Sequence, residues 1–241
     1  MNNNFTKILG FDVYNKSFDE VIDEISKYKK VNIISGNPEV LYLGLKNEDI
    51  HKSFISENAL IIPDGVGTIM ASKLVKPVIK EKIAGIDLMK TLLRKCEKEE
   101  KSVYLLGTSQ ETLDACIVNI KKKHPNLNIV GSQNGFFDLD NAEDIVEDII
   151  KAKPYALFVA MGCPRQETFI LQYIEKIPAT IFMGVGGSFD VIAGKVKRAP
   201  KWMISLGLEW LYRVFKEPYR IKRLGSIPKF LWLVIRKNKV K

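Results

Sequence analysis

The sequence predicts an α/β protein: a Rossmann-like, mostly parallel sheet flanked by helices, followed by a basic helical C-terminal appendage. Three observations carry this. Short β-rich runs alternate with amphipathic stretches through residue 194, small-residue turns follow successive strands, and the charge of the chain changes sign near residue 195. Alternating strand and helix patterns are what a parallel sheet covered on both faces requires.

Strands are expected over 31–35, 59–62, 102–106, 128–130, 155–161 and 180–183, where β-branched, aromatic and aliphatic residues cluster. Between or after them, 18–28, 67–74, 87–96, 110–122, 142–151 and 164–174 carry apolar residues at three- and four-residue spacing, the pattern of helices packed on a sheet. In such sheets ligands sit beyond the carboxyl ends of the strands. The residues that follow the predicted strands are accordingly the ones to search: Gly36-Asn37-Pro38-Glu39, Asp64-Gly65-Val66-Gly67, Gly107-Thr108-Ser109, Gly162 to Glu167, and Gly184 to Asp190.

At 241 residues and 46% hydrophobic, the chain is long enough to bury a full core. No stretch reaches the 18 or more apolar residues of a membrane span, and the opening MNNNFT lacks the layout of a signal peptide, so a cytoplasmic protein is expected. Cys96, Cys116 and Cys163 show neither a disulfide framework nor zinc spacing and read as free thiols. The net charge of +9 is unevenly placed: residues 195–241 hold 14 Lys/Arg against Glu209 and Glu217, a net of +12, and residues 1–194 carry −3. This divides the chain into a mildly acidic body, 1–194, and a basic appendage, 195–241.

Glycines where a strand enters a helix let the backbone approach a diphosphate. Gly184 to Gly187 is the best such turn, but it matches neither GxGxxG nor the P-loop, which argues against a dinucleotide or ATP. Asp64 follows a hydrophobic strand and precedes a glycine turn. It can project into the crevice as a general base, or cap the helix expected from Gly67; both readings fit. His51 and His124 lie in polar, surface-like contexts. Asp138-Leu139-Asp140 spells the DxD metal signature, yet it precedes the helix expected from Ala142, where Asp140 or Asn141 serves as a cap; no metal site is assigned.

In the appendage, Trp202, Leu206, Trp210, Leu211 and Phe215 form an apolar face beside Arg213 and Lys216, and Phe230 to Ile235 runs into Arg236 and Lys237. Apolar and aromatic residues joined to a basic cluster describe either a segment that lies on a membrane without crossing it or an ordinary C-terminal helix packed on the body. No reading motif accompanies the charge, so nucleic acid is not an expected partner.

These pieces coincide with a known family. The sequence resembles the WecG/TagA/CpsF glycosyltransferases through Asn37-Pro38-Glu39, Pro63-Asp64-Gly65, Gly85-Ile86-Asp87-Leu88, Gly162 to Glu167, and Gly184 to Asp190. The likeness continues through Gly194, Arg198-Ala199-Pro200, Gly207 to Trp210, Tyr212-Arg213, Glu217-Pro218 and Arg220. The resemblance implies a cofactor-free, metal-independent, inverting transfer of N-acetylmannosamine or a related sugar. The donor would be UDP-linked and the acceptor an undecaprenyl-diphosphate-linked N-acetylglucosamine at the inner face of the membrane, in teichoic acid or cell-surface polysaccharide synthesis. It implies Asp64 as base and Asn37 near the sugar. Gly162, Gln166, Gly184, Gly186 and Gly187 would lie near the donor diphosphate or ribose, Phe136 and Asp190 near the uracil. Arg213, Arg220 and Arg223 would reach the phosphates from an appendage that docks on the membrane and closes over the substrate.

One position departs from the family pattern. Lys82 stands where an arginine is usual, which keeps the charge of a substrate-binding residue but loses its bidentate fork. The rival reading is a nucleotide- or polyanion-binding regulator without chemistry, and a homo-oligomer is compatible with either.

Overall fold

Eight strands form among the described residues, which in this computed structural model are 4–205, 208–216 and 225–239. They are β1 (Phe5–Ile8), β2 (Phe11–Tyr14), β3 (Val31–Ser35), β4 (Ala59–Ile62), β5 (Ser102–Gly107), β6 (Asn128–Gln133), β7 (Ala156–Ala160) and β8 (Ile181–Gly184). Except for the β1–β2 hairpin, every strand pairing described below is parallel. The protein is α/β, as the sequence predicts. The residues fall into two units: one comprises 1–25, 35–84 and 198–241, the other 26–34 and 85–197.

In the second unit the strands run in the order β3-β8-β7-β5-β6. All five residues of β7, Ala-Leu-Phe-Val-Ala, are buried, the continuous apolar run of a strand covered on both faces. The covering helices are α5 (Gly85–Lys98), α6 (Gln110–Lys123), α7 (Glu143–Ala152), α8 (Arg165–Tyr173) and α9 (Ser188–Ile192). Tyr104, Leu106, Leu157, Val159, Phe169, Ile170 and Phe182 belong to one core cluster here. The chain leaves β5 towards β6 on one side and leaves β7 towards β8 on the other, so the order reverses between β5 and β7. Register pairs Gly107 with Ala160 and Val159 with Gly184, which brings the carboxyl ends of β5, β7 and β8 level. A reversal of strand order at such ends opens a crevice for ligands.

In the first unit, β1 and β2 form a hairpin through Leu9 and Gly10, whose φ values of 53° and 102° make the primed turn that matches strand twist. Strand β2 pairs parallel with β4, Val13 opposite Ile61. The helices are α1 (Phe18–Ser26), α2 (Pro38–Lys46), α3 (Glu48–Phe54), α4 (Val66–Ser72), α10 (Lys201–Ser205), α11 (Glu209–Lys216) and α12 (Ser226–Lys239). Pro38 stands in the first turn of α2, where its missing N–H costs no hydrogen bond. Helix α12 packs on α2 and α4. Gly67 permits the close approach of α4 to α2, since a Cβ there would lie 2.5 Å from the Pro38 ring.

The hairpin and helices α2 and α3 were not among the predicted elements. Each hairpin strand has four residues and a charged interruption, Lys7 in one and Asp12 in the other, too short for a period-2 signal to stand out. None of the described helices is long and apolar enough to cross a membrane.

Candidate active site

Each unit carries one cluster of the residues singled out in the sequence. In the first unit the cluster is built on two turns. The N–H of Gly36 donates to the Ile62 carbonyl at 2.8 Å, which ties the turn after β3 to the end of β4. Asn37 caps α2, its Oδ1 accepting from the N–H groups of Glu39 and Val40 at 3.0 and 3.1 Å. Its Nδ2 donates to Ser35 Oγ at 3.0 Å, and the Ser35 hydroxyl donates to Asp64 Oδ2 at 2.9 Å. Asn37 thus orients the serine that orients the carboxylate. The position directly ahead of the following helix is held by a glycine and not by Asp64. Helix α4 starts at Val66, the residue ahead of it is Gly65, and that cap position makes no side-chain hydrogen bond.

Lys82 lies on the segment that returns to this turn, since the N–H of Ile83 donates to the Pro63 carbonyl at 2.9 Å. Its ammonium sits 3.7 Å from Glu209 Oε2, while Arg198 Nε donates to the other oxygen, Oε1, at 3.3 Å. All three side chains are largely shielded, so Glu209 fastens the start of α11 with two cations. Arg213 lies on α11; Arg220 and Arg223 lie outside the described residues.

In the second unit, Thr108, Gly135, Phe136, Phe137, Asp138, Ala160, Met161 and Arg165 line a cavity of about 560 Å³ at the strand-order reversal. Thr108 holds φ 50°, an unfavourable backbone for a β-branched residue. Its carbonyl accepts from Gly135 N at 2.8 Å, and its hydroxyl lies 3.4 Å from Asp190 Oδ1. Phe136 stands 81% exposed at the cavity, a flat apolar face with little protein against it. The Arg165 guanidinium donates to the carbonyls of Gly135 and Phe137 and stacks 5.5 Å over the Phe137 ring, fixing this loop. Arg165 and Thr108 were absent from the residues proposed from sequence, although both lie in turns that the sequence singled out.

Gln166 joins two of those turns. Its Oε1 accepts from Gly162 N at 3.2 Å and from Gly186 N at 3.0 Å, and its Nε2 donates to Glu167 Oε1 at 2.8 Å. Gly184 lacks a side chain for a steric reason, because a Cβ there would come 2.6 Å from Gln166 Nε2. The side chain of Gln166 is buried and organises the Gly162 and Gly184–Gly187 turns.

Of the remaining polar candidates, Asp138 lines the same cavity, whereas His51 and His124 are not among its lining residues. Asp138, and not Asp140 or Asn141, acts as a cap: its Oδ1 accepts from Asp140 N at 3.1 Å at the head of a short 3-10 helix (Leu139–Asn141), and its Oδ2 from Asn141 Nδ2 at 3.1 Å. Helix α7 begins only at Glu143. The ring of His51 packs 5.1 Å from that of Phe11, and His124 Nδ1 bonds Glu97 at 2.8 Å. Burial pushes the Cys96 and Cys116 thiols up to about 12, as expected of packing residues.

The profile of the glycosyl transferase WecG/TagA/CpsF family matches residues 6–241. The chain belongs to this family. Among similar WecG/TagA/CpsF proteins is the N-acetylglucosaminyldiphosphoundecaprenol N-acetyl-beta-D-mannosaminyltransferase of Bacillus subtilis strain 168, 36% identical over 94% of this chain and 90% of its own length. A protein of the same name from Bacillus spizizenii is 34% identical over 88% of this chain and 81% of its own length. Another, from Staphylococcus aureus strain MW2, is 32% identical over 97% and 94%. As a WecG/TagA/CpsF protein the chain is a glycosyltransferase.

Proposed function

We propose that the protein is an inverting, metal-independent transferase. It moves N-acetylmannosamine, or a related sugar, from a UDP donor to undecaprenyl-diphosphate-linked N-acetylglucosamine in teichoic acid or cell-surface polysaccharide synthesis. The acceptor and the sugar are those in the names of the three relatives. The observation that carries the chemistry is the Asn37–Ser35–Asp64 relay, which presents a carboxylate held in one orientation at the end of β4.

Inversion in one displacement requires a base that takes the proton of the acceptor hydroxyl as its oxygen attacks the anomeric carbon. Asp64 takes that proton. The bond from the anomeric carbon to the diphosphate oxygen breaks as the new glycosidic bond forms, and UDP leaves with the added negative charge. Cations must stabilise that charge where no metal does so. Arg213, Arg220 and Arg223 fill this role, and Lys82, beside Glu209, contacts a substrate phosphate or sugar. The second unit binds the donor: Phe136 stacks on the uracil, Asp190 accepts from it, and the N–H groups of the Gly162 and Gly184–Gly187 turns, set by Gln166, bind ribose and diphosphate.

Residues 1–194 act as the catalytic body. Residues 195–241 act as an appendage that rests on the inner face of the cell membrane, where a polyprenyl-linked acceptor resides. Incubation with UDP-N-acetylmannosamine and a short-chain lipid diphosphate carrying N-acetylglucosamine tests the proposal. UDP release is expected only with both substrates present. If UDP binds and no UDP-sugar is turned over, the crevice serves a regulator instead.

A further inference from the structure

Helix α12 presents two stripes. Ile227, Phe230 and Val234 form one; Phe230 and Val234 are buried where α12 packs on α2 and α4. The apolar run of residues 230–235 is thereby split, because Trp232 and Ile235 stay 56% and 42% exposed. The second stripe, at positions 229, 232, 233, 236 and 237, follows the three- and four-residue spacing of a single helix face. It lines a groove of about 680 Å³ whose opposite wall is Tyr42, Leu45 and Lys46 of α2, with Leu9 of the hairpin turn beside them.

The groove combines two chemistries. Lys46, Lys229, Arg236 and Lys237 supply four cations, and among the described residues no acidic side chain lines it. The nearby carboxylates on the hairpin and α3 face other cations: Asp12 lies 3.6 Å from Lys7, and Glu48 lies 2.9 Å from Lys52. Its floor and walls are otherwise apolar, with Arg236 stacked 5.3 Å from Trp232 and Lys46 5.7 Å from Tyr42. Cations carried on aromatic faces beside exposed aliphatic surface suit a ligand that is a phosphate at one end and a hydrocarbon along its length. From position 229 to 237 the stripe spans about 12 Å, enough to follow the first part of an acyl chain below its headgroup.

We propose that this groove docks an anionic phospholipid of the bilayer. Its phosphate lies among Lys46, Arg236 and Lys237, and the upper acyl chain lies against Trp232, Leu233 and Leu9. The inference deepens the membrane association proposed above and rests on it. It also sets the roles within 230–235: Trp232 meets lipid, whereas Phe230 and Val234 hold the helix to its own unit.

Co-sedimentation of the full chain with vesicles tests this. One set is phosphatidylcholine alone and the other contains roughly a third phosphatidylglycerol, the composition at which basic residues near the surface contribute measurably. The unmodified protein is expected to bind the anionic vesicles selectively. The triple variant Lys46→Ser, Arg236→Ser, Lys237→Ser is expected to bind them on the order of 100-fold more weakly, and Trp232→Ser also to bind more weakly. A control of equal charge loss on exposed positions of α5 and α6, Lys98→Ser, Lys122→Ser, Lys123→Ser, is expected to stay within a few-fold of the unmodified chain. Turnover on a short-chain acceptor without vesicles reports folding and is expected to be the same in all. The proposal is overturned if the control loses as much as the groove triple, if neutral vesicles bind equally, or if inorganic phosphate at matched ionic strength releases the protein. It is equally overturned if light scattering shows a dimer that the groove triple abolishes while vesicle binding stays intact, because the occupant would then be a second copy. Selective vesicle binding without turnover would retain the lipid groove and remove only the proposed UDP-sugar reaction.

Discussion

The hydroxyl of Ser35 donates to Oδ2 of Asp64 at 2.9 Å, across 29 residues of sequence, and itself accepts from Asn37 Nδ2. A proton acceptor held this way keeps one orientation at the end of β4.

If Asp64 is the base, Asp64→Asn lowers kcat by roughly 100-fold or more, the usual scale of lost general-base catalysis, while UDP still binds. Ser35→Ala removes only the orienting bond, and kcat should fall by roughly 10-fold with KM little changed. Steady-state kinetics on both variants, with UDP titration by calorimetry, check this; full activity in Asp64→Asn removes the assignment.

The buried amide of Gln166 holds two backbone N–H groups twenty-four residues apart, Gly162 and Gly186. Replacing it with alanine leaves both donors without this acceptor and should cost roughly 1–3 kcal/mol in urea denaturation. Gly184→Ala drives a methyl onto the same amide and should cost a similar amount. Both should weaken donor binding as well; normal stability together with normal UDP affinity contradicts the organising role.

Phe136, so exposed that its removal should leave stability within about 0.5 kcal/mol, is expected to matter only when a base is bound. Stacking of a base on an aromatic ring is worth roughly 1–3 kcal/mol. Phe136→Ala should therefore weaken UDP binding by about 10-fold or more, whereas Phe136→Trp should retain it. Equal affinity in Phe136→Ala excludes stacking there.

Both carboxylate oxygens of Asp138 accept hydrogen bonds within the loop they cap. Asp138→Ala should cost about 1 kcal/mol of stability through the lost cap, and turnover should persist in EDTA for the unmodified chain and the variant alike. Activity lost to chelation and restored by a divalent ion contradicts the metal-independent mechanism.

Burial raises Cys96 and Cys116 from 9.0 to about 12, and the phenols of Tyr14 and Tyr104 are pushed up by burial too. Between pH 9 and 12 the unfolded thiols lose protons that the folded ones keep. This contribution to stability is fully present below about pH 9 and is lost as the pH rises through the folded value. The urea midpoint should fall steadily above pH 9. At pH 8 iodoacetamide should label Cys163, which is only partly buried, before the other two.

The sequence by itself determined the α/β class, the strands around 31–35, 59–62, 102–106 and 180–183, and the turns that carry the two clusters. These depend on local periodicity and on small residues next to hydrophobic runs, which short windows record. Tertiary structure decided what those turns do. Asp64 carries the same local signal for a cap and for a base, and its hydrogen bond from Ser35 of another strand is visible only in the fold. Gln166 reads as one more polar residue at a helix start until Gly186 N–H is brought to its oxygen. Lys82 reads in sequence as one basic residue of a loop, and only the fold brings it beside Glu209, far along the chain. The run 230–235 looks uniformly apolar in sequence, and packing alone sends Phe230 and Val234 inward and leaves Trp232 at the groove. A hydrogen bond or an ion pair depends on where two distant segments meet, and that information resides in the summed packing of the whole chain.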